Sequence, residues 1–230
     1  MKYVNVASLE RCYELLAKKI AMQNPDNKST KISFHSGYVW EQEGYKYDVW
    51  RNARDAIAAI PWGESGLVGS GKIKAGALNA LKAFNIKAHG KLIDWRDINY
   101  FKNVPQIKEL EHALYGLYAP NASVEDKLSF GALNAVIKNK YVLLSCLFFV
   151  KNKEKYMVMR PKNFAWRLNR IGVKESCTFP PSWDNYMTYM GALQEVKAFL
   201  AERHTGAENI TLLDAHSFVW SLWVIEKDLM

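Results

Sequence analysis

Tyr141-Val-Leu-Leu-Ser-Cys-Leu-Phe-Phe-Val150, followed by Lys151-Asn-Lys-Glu-Lys155 and then by Tyr156-Met-Val-Met-Arg160-Pro161, is the stretch on which the fold class turns. Ten residues without a charge read either as a buried strand or as the end of a buried helix, and periodicity does not separate the two. The polar turn after them, and a short apolar run stopped by Pro161, predict a small β-hairpin. The segments around this stretch are helical in pattern. The expected class is therefore α+β, predominantly helical, with a small β-hairpin in the C-terminal half.

Working outward, Leu9, Cys12, Leu15, Leu16 and Ile20 recur at helical spacing, predicting a helix from an N-cap at Ser8 to about Gln23. Lys31 to Tyr47 alternates more like strands, with Gly37 and Gly44 as turn residues. Helices follow over Tyr47 to Ile60, Ile73 to Phe84, Asp94 to Lys102 and Val104 to Tyr118, with a glycine-rich loop from Trp62 to Gly71. Later ones cover Val124 to Asn139, Asn163 to Ile171, Trp183 to about Arg203 after a cap at Ser182, and Thr211 to about Lys227. The last begins in a Thr211/Asp214 capping box and is apolar on nearly every side, which predicts deep burial. Ala119-Pro-Asn-Ala-Ser123 is the best candidate boundary, giving subdomains 1–119 and 124–230 that share a core or stand apart. Gly-Ala-Leu-Asn-Ala occurs at Gly76 and again at Gly131, but no longer period supports a repeat fold.

Hydrophobic residues make up 49% of the 230-residue chain and charged residues 23%, which is too apolar for disorder and ordinary for a globular protein. Cys12, Cys146 and Cys177 are odd in number and lack CxxC spacing, so no disulfide framework is implied and a reducing compartment fits. The first twenty residues carry charges too often for a signal peptide, and the longest apolar run is half of what a bilayer needs. The expectation is a cytoplasmic protein with no membrane partner.

Charge supplies the functional lead. Ten cations and one acid, Glu154, lie between Lys138 and Lys174, so these 37 residues carry +9 against +8 for the whole chain. A concentration of this kind fits a polyanion, and nucleic acid has the matching charge density. The expected phosphate contacts are Lys151, Lys153, Lys155, Arg160, Lys162, Arg167, Arg170 and Lys174, with Trp166 as a stacking or wedge residue. DNA is expected before RNA, and a palindromic target would call for a homodimer. In the helix after Pro161, the apolar face is Phe164, Leu168 and Ile171, and Arg167, Arg170 and Lys174 form a cationic stripe beside Trp166 and Asn169. Such a helix could enter a major groove, where Arg reads guanine and Asn reads adenine; a solvated cationic face is the plainer reading.

No catalytic motif is complete. Gly66-Leu-Val-Gly-Ser-Gly71-Lys72 matches the glycine and lysine positions of a phosphate-binding loop, but Ile73 stands where Ser or Thr would hold magnesium. Asp214, His216 and Ser217 lie too close in one helical turn to align as a triad; Asp214 is better spent on its cap, and His216 reads as an interior histidine. Asp94 with Asp97, Glu41 with Glu43 near Lys46, and Glu195-Val-Lys197 are the acids a metal-dependent nuclease could use. The histidines at 35, 89, 112, 204 and 216 have no ligand spacing. No cofactor is expected, and Mg2+ only for a nuclease.

The order of the apolar run 141–150, the turn 151–155, Tyr156-Met-Val-Met-Arg160-Pro161, Phe164, Gly172, Ser182-Trp183-x-x-Tyr186 and Leu212-Leu-Asp-Ala-His-Ser-Phe-Val-Trp220, with Leu92-Ile-Asp-Trp95 before them, resembles an uncharacterised bacterial segment. That segment accompanies HNH-type and modification-dependent restriction proteins, and the likeness covers roughly residues 90–224. It implies a role in recognition within a defence or DNA-processing system, and it carries over no catalytic residue. A divergent Mg2+-dependent endonuclease and a protein-interaction module are the alternatives.

Overall fold

The computed structural model describes residues 2–23, 32–85, 92–173, 178–204 and 209–226. Among these every regular element is a helix, and there is neither a strand nor a sheet. The chain divides into two compact units: unit 1 comprises Met1–Lys46, Pro161–Phe179 and Asp184–Met230, and unit 2 comprises Tyr47–Arg160 with Pro180–Trp183. The residues 119–123 lie inside unit 2, linking two of its helices.

The expected hairpin is corrected by the central element of unit 2. Its helices are α3 (Tyr45–Ala58, from its third residue), α4 (Lys72–Lys82), α5 (Trp95–Lys102), α6 (Ile107–Tyr118), α7 (Asp126–Ile137) and α8 (Tyr141–Lys151). The run that reads as strand or helix is α8, with Tyr141 and every residue from Leu143 to Val150 buried. Only two of its ten apolar-run residues are β-branched, and Leu is a good helix former, so local propensity sides with helix. α4, α5 and α7 pack against it.

The following residues, Tyr156 to Met159, are buried, but no strand lies beside them. The Tyr156 N–H donates to the Asn152 carbonyl at 2.9 Å, and at the far end of the segment a side chain takes up the backbone. The Met159 N–H donates to Ser145 Oγ at 2.8 Å, and the Ser145 hydroxyl lies 3.0 Å from the Val142 carbonyl and 3.4 Å from that of Met159. At Met159 a hydroxyl on a buried helix thus takes the place that a partner strand would have in the hairpin reading.

Unit 1 contains α1 (Val6–Gln23), α2 (Gly37–Glu43), α9 (Pro161–Arg170), α10 (Trp183–Arg203, from its second residue) and α11 (Leu212–Ser221), followed by a 3-10 turn, Leu222–Ile225. The expected strands over 31–47 are corrected as well: the described part of that segment is irregular over 32–36 and then forms α2 and the start of α3. α1 begins earlier than predicted, because Asn5, not Ser8, stands before its first turn, and Asn5 Oδ1 accepts the Ser8 N–H at 2.9 Å. The capping box at Thr211 and Asp214 forms, and α11 is buried along nearly its whole length. Glu195 on α10 holds the start of the chain, accepting from the backbone N–H groups of Lys2, Tyr3 and Val4 at 2.5 to 2.9 Å. Burial alone would raise its carboxyl, but these three donors hold it below the ordinary carboxylate range. Asn5 N–H then donates to Ile171 O at 2.9 Å, beside Gly172 at φ +82°, where a Cβ would fall 2.4 Å from that of Asn5.

Replacing Ser145 with Ala strands the buried Met159 amide while changing almost no volume. We expect a loss of about 1–3 kcal/mol in denaturant unfolding, the cost of one buried unsatisfied donor, with Ser145→Thr or Cys recovering part of it. A neutral Ser145→Ala would remove this account of the 156–160 segment.

Candidate nucleic-acid interface

The two units share the charge unequally. Unit 2 holds seventeen Lys and Arg against ten Asp and Glu, a net +7, and unit 1 fourteen against thirteen, a net +1. The cationic stretch 138–174 crosses from one unit to the other after Arg160, so Lys151, Lys153, Lys155 and Arg160 belong to unit 2 and Lys162, Trp166, Arg167, Arg170 and Lys174 to unit 1.

Within unit 2 several of these cations are already engaged. Lys151 donates to Asp126 Oδ1 at 2.5 Å, and the Tyr156 hydroxyl donates to the other oxygen of the same carboxylate. Burial pushes the Asp126 carboxyl up, but the hydrogen bonds from Lys151 and Tyr156 and the charges of Lys151 and Lys155 outweigh it and hold it below its usual value. Lys153 pairs with Glu154 and reaches over the rings of Trp50 (5.2 Å) and Tyr47 (5.9 Å). Lys140 stands 4.8 Å above the Tyr100 ring and 3.6 Å from Asp97. Lys155 and Lys138 are exposed, and Arg160 is half-buried.

Sequence reasoning passed over the outward face of α5. Phe101 is buried and Ile98 half-buried, while Trp95, Arg96, Asn99 and Lys102 are all exposed. The pattern was present at i, i+1, i+4 and i+7, opposite the apolar pair. Asp94 caps the helix through Arg96 N–H at 2.9 Å and holds the Arg96 guanidinium at 3.1 and 3.2 Å.

In unit 1 the predicted stripe on α9 divides. Phe164, Leu168 and Ile171 are buried as the spacing requires, but so is Arg167. Its guanidinium donates to the Asn163 carbonyl and lies 4.8 Å from the Trp220 ring. Phe164, Arg167, Leu168 and Ile171 fall at i, i+3, i+4 and i+7, so Arg167 belongs to the inward face. Arg170 packs over Trp166 at 5.4 Å, both half-buried, and Lys162 and Asn169 are exposed. Lys174 lies outside the described residues.

Arg167 borders a buried ionic cluster. Lys46, 1% exposed, pairs with buried Glu43 and lies 3.0 Å from His216 Nδ1 and 3.3 Å from Ser217 Oγ. Glu43, His216 and Ser217 thus surround the Lys46 amine on three sides. Burial drives the Lys46 amine down, against the opposing pull of Glu43, and drives the Glu43 carboxyl up. Asp214 accepts from the Thr211 N–H and hydroxyl at 2.8 Å each, with His35 Nε2 at 3.4 Å. The Ser217 hydroxyl thus faces an amine, and the cluster holds α2 to α11 as an internal ion pair.

The remaining motifs are similarly occupied. In the glycine-rich loop, the carboxylate of buried Glu111 accepts from Gly69 N–H at 2.7 Å, Gly71 N–H at 3.0 Å and Lys74 N–H at 2.8 Å. The phosphate-like place is filled by the protein's own anion, and Lys72 pairs with Glu64 at 2.5 Å. Glu41 is exposed, away from the buried role of Glu43. His204 lies 3.3 Å from the Tyr13 hydroxyl, His112 is exposed, and His89 and Cys177 fall outside the described residues. Cys12 and Cys146 are buried free thiols. Among the described residues no group of three or more His, Cys, Asp or Glu could hold a metal ion, and no helix is long and apolar enough to cross a membrane. No protein-family model, curated protein or solved structure matches the chain.

Lys46→Met leaves Glu43 buried without its cation and should cost about 3–5 kcal/mol in chemical denaturation. The double change Glu43→Gln with Lys46→Met should cost clearly less than the single one. A double change at least as damaging as the single would show that the pair is not coupled. For Asp126, whose folded carboxyl is depressed, the stabilisation is present above its unfolded pKa and is lost as pH falls through the folded value. Asp126→Asn should therefore lower the thermal midpoint at pH 7 and do so progressively less as pH drops below about 4. A pH-independent effect would contradict the ionic role.

Proposed function

We propose that the protein binds nucleic acid, DNA before RNA, through phosphate contacts made by unit 2. The observation that carries this reading is the +7 on that unit beside +1 on the other. Basic surface gathered on one unit is what a dense polyanion rewards, since each phosphate neutralised releases condensed counterions. Lys155, Arg160, Lys138 and Lys102 carry the contacts in this reading. Lys151 and Lys153 contribute field from fixed positions beside Asp126 and Glu154. Base reading by α9 has no part in it, because Arg167 turns inward. The likeness of residues 90–224 to segments that accompany restriction proteins favours DNA, and a place in a defence or DNA-processing system.

Fluorescence anisotropy with labelled DNA and RNA at about 50 and 200 mM salt tests the reading. We expect affinity to fall by orders of magnitude between the two and the log–log slope to drop by nearly one for each cation removed. Lys138→Ala, Lys102→Ala and Lys155→Ala in unit 2 should reduce the slope, and Lys162→Ala in unit 1 should not. Absence of salt-sensitive binding to any nucleic acid would overturn the reading.

A further inference from the structure

We propose that the outward face of α5 is a stacking platform for single-stranded DNA, with Trp95 meeting the face of an unpaired base and the neighbouring cations meeting its backbone. The inference rests on the reading of unit 2 as the nucleic-acid surface and names the form of nucleic acid that it takes.

Trp95 is 56% exposed, and no other aromatic side chain of unit 2 is exposed among the described residues. Many of the unit's other large rings are used inside it: Phe130, Phe148, Tyr156 and Trp183 form a cluster with ring centroids 5.1 to 6.3 Å apart, and Phe84 lies 5.9 Å from Phe149. A ring held out on the unit that carries nearly all of the net charge is in the position that base stacking requires.

The surroundings of Trp95 match a strand lying along the helix. Asn99 and Lys102 follow it at i+4 and i+7, so about 10 Å of helix axis separates the ring from the Lys102 position. Arg96 stands beside it, its side chain 75% exposed and its orientation fixed by Asp94. Lys140 stands on the flank above Tyr100. Asp94 and Asp97 offset part of this charge, so the face offers few phosphate contacts, and the ring must carry much of the affinity. Unpaired bases present free faces to such a ring. In a duplex those faces are already stacked, and exposing one costs a few kcal/mol per step.

The test uses the full chain and a labelled oligothymidine, alone and annealed to its complement, with Trp95→Ala, Trp95→Phe and Lys102→Ala. Trp95 lies at the surface, and circular dichroism checks that each variant folds. The single strand should bind wild-type protein more tightly than the duplex. Trp95→Ala should weaken that binding about 5- to 150-fold, the range of one lost base stack, leave the salt slope unchanged and spare the duplex; Trp95→Phe should keep most of the affinity. Lys102→Ala should instead lower the slope. Unchanged single-strand affinity in Trp95→Ala, or an equal loss for the duplex, overturns the platform and leaves the wider reading of unit 2 standing. If wild-type protein binds no oligonucleotide, both fall.

Discussion

A helix with no polar side has to be wrapped by others, and unit 2 is organised by that constraint. α8 turns Tyr141 and everything from Leu143 to Val150 away from water, so its neighbours must come at it from several directions. α4, α5 and α7 do so, and the chain after α8 lies buried as well. Apolar burial drives this arrangement, yet polar groups of α8's buried run also reach beyond the helix: the Leu147 carbonyl accepts from the Tyr118 hydroxyl at 2.7 Å, and the Ser145 hydroxyl ties down the segment that follows. The amphipathic α5 follows from the same constraint: its inner side serves the core, which leaves Trp95, Arg96, Asn99 and Lys102 outside.

Inside both units, carboxylates do much of the fastening. Glu111 gathers three amides of a loop, Glu195 gathers three amides at the start of the chain, and Glu43 sits against the buried Lys46. Each is an anion placed where backbone donors or an amine would otherwise lose their water. The same economy reduces the apparent cationic surface. Arg167, Lys151 and Lys153 count toward the charge of the 138–174 stretch, but they are committed to internal partners.

Most helices were legible, because Leu9, Cys12 and Leu16, or Leu110, Leu114 and Leu117, repeat at a period only a helix satisfies. The capping box at Thr211 was legible for the same local reason. The helical state of α8 was not, since an uncharged run buried on nearly every side carries no period, and low β-branching was the clue that outweighs the run. The segment 31–47 misled because its alternation is interrupted by glycines that read as turns. Of the predicted contacts, exposed Lys155 and Lys162 match a surface role. Arg167 does not, and the signal lay in its register with Phe164 and Leu168. The buried cluster was out of reach, because Glu43 and His216 are far apart in sequence and only the fold brings Lys46 to both.

The loop around Gly69 and Gly71 has a further consequence. Its amides converge as they would on a phosphate, and they already hold a carboxylate that belongs to the same chain. A free phosphate would have to displace a ligand that never diffuses away, and a tethered group faces its site at an effective concentration far above that of most solutes. Glycines spaced as in a phosphate-binding loop thus serve here as an internal lock, with Glu111 as the key that is never withdrawn.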